Sequence, residues 1–176
     1  MPSLLTHLAR LIDRVNHTIG NSVAWLCVLM VLVQFLIVGM RYVFGIGSIM
    51  LQESVLYMHG ALFMLAAADT LLQNEHVRVD IFYARASATR KALIDLLGCA
   101  FLVLPVCLLL FYVSWDYVAI SWSVLEGSRE TSGIQGVFLL KTVILIFAAQ
   151  LALQAVSTII KNAAFLRAPI QGQSDE

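Results

Sequence analysis

The chain has 176 residues, of which 60% are hydrophobic and 12% charged, and its mean hydropathy is +0.87. A soluble domain carries roughly twice that share of charge, so the composition excludes an ordinary water-soluble fold and points to a bilayer. With 11 basic and 11 acidic residues the net charge is zero, which leaves no electrostatic footprint for nucleic acid.

The first elements in chain order are an amphipathic segment and a span. Leu4, Leu5, Leu8, Leu11, Ile12, Val15 and Ile19 recur at helical spacing, while Arg10, Asp13, Arg14 and His17 avoid that stripe. Residues 1–19 therefore read either as an interfacial amphipathic helix on the inner surface or as a plain extension of span one. Thr18 to Met40 holds no charge, about the 20 residues that cross a bilayer core. Its apolar run is longer than a signal-peptide core, so retention is expected.

Three more spans follow, giving an all-α membrane protein with spans at about 20–41, 49–72, 92–120 and 137–161. Span two is less pure, because it holds Glu53, His59 and Asp69. Pro105 lies at mid-depth of span three and predicts a kink. Cys27, Cys99 and Cys107 sit inside apolar runs and read as reduced packing residues. Arg10, Arg14, Arg78, Arg85, Arg90, Lys91, Lys161 and Arg167 fall on one side, against Arg41, Arg129 and Lys141 on the other. By the positive-inside rule both termini and the 73–91 loop face the cytoplasm, and the 121–136 loop faces outward.

Polar groups inside spans are costly, so each marks function or helix contact. Gln34 and Arg41 share a face of span one at a separation of seven. Arg41 closes span one and Glu53 opens span two, and the short turn between them suggests an ion pair. His59 is about 240° round from Glu53, so the two do not form one site. Gln150, Gln154, Ser157 and Lys161 draw a polar stripe down the inner half of span four. That stripe wants a protein surface, from sister helices or from another subunit.

The central loop, "HVRVDIFY" from His76 to Tyr83, resembles the inner loop of the small membrane subunit of TRAP transporters, the tripartite ATP-independent periplasmic systems. "RYVFGIGSIMLQES" (Arg41 to Ser54) is similar to the family's link between spans one and two. "SWSVLEGS" (Ser121 to Ser128), with "LLK" before span four and "LALQ" within it, resembles the branch labelled for mannitol or chloroaromatic compounds. Gly133-Ile134-Gln135 lacks the proline of a Gly-Leu-Pro turn frequent in that branch.

The resemblance implies a non-enzymatic scaffold in the bacterial inner membrane. Its implied partners are a large TRAP membrane subunit, a periplasmic substrate-binding protein and the phospholipid bilayer. No cofactor is expected on this chain, because sodium and the organic acid would bind the large subunit. His76, Arg78 and Asp80 become interface candidates beside Arg41, Glu53, Gln150 and Gln154. Asp80 is expected to cap a short helix and Ser87 to cap the start of span three. The loop then reads as an inner-surface clamp or, on physics alone, as an ordinary basic loop.

Two rival functions remain. A b-type haem subunit would need two facing intramembrane histidines, and only His59 lies deep. A self-sufficient homodimeric transporter typically centres on a buried carboxylate, whereas Glu53 stands near an edge. No internal repeat or paired Gly/Pro break marks a substrate path.

Overall fold

A computed structural model describes residues 4–76, 83 and 86–167. The first helix, α1, spans Leu4–Phe44, and α2 spans Ile49–Leu72. The third span begins as α3, Ala88–Gly98, continues through a π-helical turn at Cys99–Val103, and ends as α4, Leu104–Ser123. The fourth is α5, Val137–Arg167. All four are long and apolar enough to cross a membrane, so the chain is an all-α four-span membrane protein.

Local chemistry sets the ends. Gly45, at φ 66°, takes the left-handed conformation that stops α1. Ser48 then caps α2, its hydroxyl accepting from the Leu51 amide at 3.4 Å. Asn74, at φ 63°, closes α2 in the same left-handed way. Ser87 caps α3 as expected, accepting from the Arg90 amide. Pro105 does not break the third span. The wide turn just before it carries a Leu104 amide bond to the Cys99 carbonyl, which makes room for a ring that would otherwise strike the preceding turn.

The N-terminal segment takes one of the two forms that its sequence left open. No break separates residues 4–19 from span one; α1 is one helix of 41 residues, about 61 Å at 1.5 Å per residue. Its apolar stripe faces outward, with Leu4, Leu5, Leu8, Leu11 and Val15 all exposed. The face turned to the protein carries Ala9, Asn16 and Gly20 instead. The extension of span one, rather than a separate surface helix, is what forms.

α1, α2 and α5 pack on one another, while the third span lies mainly against α5. Apart from Ile37 and Val118 the buried set is small or polar, with Ala9, Ala68, Ala92, Ala148 and Ala155 beside Asn16, Asp69, Ser121, Gln154 and Ser157. Between membrane helices apolar burial supplies little drive, so small residues and hydrogen bonds hold the contacts.

Candidate functional site

Three polar layers join the helices, and a fourth set of polar side chains faces outward. The innermost layer couples α1 to α5. Asn16 donates to the Gln154 amide oxygen at 2.8 Å, and Gln150 reaches the Asn16 oxygen at 3.5 Å. Gln154 donates to Asp13 at 3.0 Å, Ser157 donates to the same carboxylate at 2.7 Å, and Lys161 completes it at 2.9 Å. The polar stripe of span four is thus covered largely by this chain's own first helix, with the buried Gln150 oxygen alone left without a partner among the described residues. Gln154 is fully buried and uses both ends of its amide.

A second layer lies at the inner end of α2. Asp69, buried, accepts from Gln73 at 2.7 Å and lies 3.0 Å from the His17 ring nitrogen. Asn21 meets the other His17 nitrogen at 3.1 Å. Gly20 makes this approach possible, since a Cβ there would fall 2.5 Å from the Asp69 carboxylate.

The third layer organises the outer loop. Glu53 accepts from the Ser128 hydroxyl and, at 2.6 Å, from the Ile134 amide. Tyr57 reaches the Ile134 carbonyl at 3.5 Å. Beside it, Glu126 accepts from Lys141 and, at 2.7 Å, from Ser121. Lys141 also stands 4.0 Å over the Tyr117 ring, and Trp122 donates to Thr142 at 2.8 Å. Gly133 fits where a Cβ would lie 2.3 Å from the Ser128 hydroxyl and 2.6 Å from Glu53. The loop, in which Gly133-Ile134-Gln135 has no proline, is therefore fastened by a carboxylate from span two.

Glu53 is thereby withdrawn from Arg41. Both its oxygens are satisfied by the loop, and Arg41 is exposed with no partner among the described residues. The expected ion pair across the 45–48 turn is not formed. His76 is exposed and lies 3.3 Å from the Ala67 carbonyl. Arg78 and Asp80 fall outside the described residues, as does the expected Asp80 cap.

Sequence reasoning missed Asp13, Asn16, His17 and Asp69 as contact residues, and the Glu126–Lys141 pair. Asp13 and Asn16 are three apart, hence on one face, and that spacing was the available signal.

Lys141 and Ser121 hold the Glu126 carboxyl below its ordinary value of 4.5, against the opposing effect of desolvation. A depressed carboxylate contributes stability above its unfolded pKa and loses it as pH falls through the folded one. Trp122 fluorescence should therefore hold steady at neutral pH and change on acidification below the ordinary carboxylate range. Glu126→Gln should remove that transition; its persistence would assign it to another group.

No curated protein and no solved structure matches the chain. A family model described as "Tripartite ATP-independent periplasmic transporters, DctQ component" matches residues 30–165, which takes in the outer layer, Glu53 and the stripe of α5. The chain belongs to the DctQ component family of the tripartite ATP-independent periplasmic transporters.

Proposed function

We propose that the chain is the small membrane subunit of a sodium-coupled transporter for organic acids in the bacterial inner membrane, with both termini in the cytoplasm. It serves as a scaffold for the large membrane subunit, which holds the substrate and the sodium. The outer loop, fastened by Glu53, helps to seat the periplasmic binding protein.

Family membership over residues 30–165 is the observation that carries this reading. Its physical support is that Asp13, Asn16, Gln154 and Ser157 are spent on holding helices together. Such groups build a rigid body, not a path for an anion.

The test is a mild-detergent pull-down of C-terminally tagged protein from native membranes. One large polytopic partner in near-equal amount is expected. Recovery of this chain alone, or as a homodimer, would end the scaffold reading. Proteoliposomes holding both subunits, with binding protein outside, test the rest: carboxylate uptake should require sodium, and sodium-independent uptake would remove that part.

A further inference from the structure

Two mid-depth polar side chains, Gln34 and His59, find no hydrogen-bond partner among the described residues. Gln34 lies seven residues before Arg41 on α1, about 10 Å inside the outer boundary. His59 is ten residues into α2, about 15 Å from its start and close to the middle of the bilayer. Both are exposed, and neither has a hydrogen-bond partner among the described residues. His59 only stacks on Phe63, with ring centroids 6.3 Å apart.

The two belong to one surface. Gln34 lines a groove between α1 and α2 with Met30, Val31 and Val55. His59 lies one turn from Val55 on α2, which brings the imidazole beside that groove. Nearer the outside, the same pattern repeats seven residues on: Arg41 follows Gln34 on α1, and Gln52 precedes His59 on α2. Both of these are also exposed and without a side-chain partner in the described residues.

The third span gives the contrast. Phe101, Leu102, Val106, Leu108, Leu109 and Val113 are exposed over its central turns, a surface that acyl chains satisfy. Acyl chains cannot hydrogen-bond an amide or an imidazole, so polar side chains at this depth mark contact with protein.

We propose that the α1–α2 face bearing Gln34 and His59 docks a transmembrane helix of the transporter's large subunit. That helix presents hydrogen-bonding side chains at mid-depth, and the apolar central turns of the third span, 101–113, are left to lipid. The inference rests on the scaffold reading and adds which surface is used. A heterologous partner is favoured over a second copy because the family is one component of a three-part system.

The experiment places a photo-crosslinking amino acid at position 34 or 59, and for comparison at 109 or 113, with the large subunit co-expressed. Retention of the large subunit by the unsubstituted chain comes first, and its loss would defeat the scaffold reading rather than the assigned face. Given retention, positions 34 and 59 should crosslink to the large subunit and positions 109 and 113 to lipid. Crosslinks to the large subunit from 109 and 113 alone would overturn the assignment, as would adducts of 34 and 59 with a second copy or with lipid only. Gln34→Leu and His59→Leu should each lower retention about three-fold, the worth of one ordinary interhelical hydrogen bond. Unchanged amounts of each variant in the membrane show that folding is intact; unchanged retention would count against the proposal.

Discussion

Replacing Gln154 by leucine is expected to destabilise the purified protein by about 2 kcal/mol, read as unfolding in detergent against a graded denaturant. The side chain is wholly buried and bonds Asn16 on one end and Asp13 on the other. Leucine fills similar space but leaves both partners short of one bond, and an orphaned polar group costs more than the bond itself gained. Asn16→Leu should act similarly. The double variant should be less damaged than the sum of the two, by about 1 kcal/mol, because no half of the pair is then left behind. Strict additivity would mean that the two amides do not meet. Partner retention should fall only as far as the fold does, since this stripe lies inside.

A second large effect is expected at the outer loop. Gly133→Ala puts a methyl group into the space of the Ser128 hydroxyl and the Glu53 carboxylate. The loop must then give up the bonds from Ser128 and Ile134, an overpacking cost of about 1–3 kcal/mol. Glu53→Ala removes the same bonds from the other side. Both should expose the loop to trypsin at Arg129, which already faces solvent, and raise the cleavage rate about five-fold or more for a loss of this size. A faster cut in Glu53→Ala alone would show that Gly133 is not part of the fastening.

Three of the spans were legible because a charge-free run of bilayer length seldom occurs outside a membrane helix, and span two because Ser54 to Ala68 holds only His59 as a titratable group. The Ser87 cap was legible for a similarly local reason. The partner of the α5 stripe was not. Its first half, Asp13 and Asn16, lies in a segment whose leucine stripe suggested an inner-surface helix. In a lipid setting the leucines of α1 face outward, and the small and polar positions make the contact. Nearness along the chain also misled: Arg41 and Glu53 are close in sequence, yet Glu53 bonds an amide 81 positions away. No local pattern encodes where a glycine-bearing loop will fold back.

The wide turn in the third span sets the rotational phase of that helix. Its buried positions run Ala92, Cys99, Cys107, Val118 and Ser121. The steps from 92 to 99 and from 107 to 118 keep one side of an α-helix, whereas the step from 99 to 107 overshoots by about 80° at 100° per residue. The π-helical turn at Cys99–Val103 absorbs that one surplus residue, so both halves meet α5 with the same side. Removing a single residue there would cut that step to seven and let the turn close as ordinary α-helix with the same side still on α5. Adding a residue, or winding the same residues as regular α-helix, would instead swing Tyr117, Ser121 and Trp122 about a quarter-turn away from α5, so the clamp at the outer surface depends on a residue count set near the middle of the membrane.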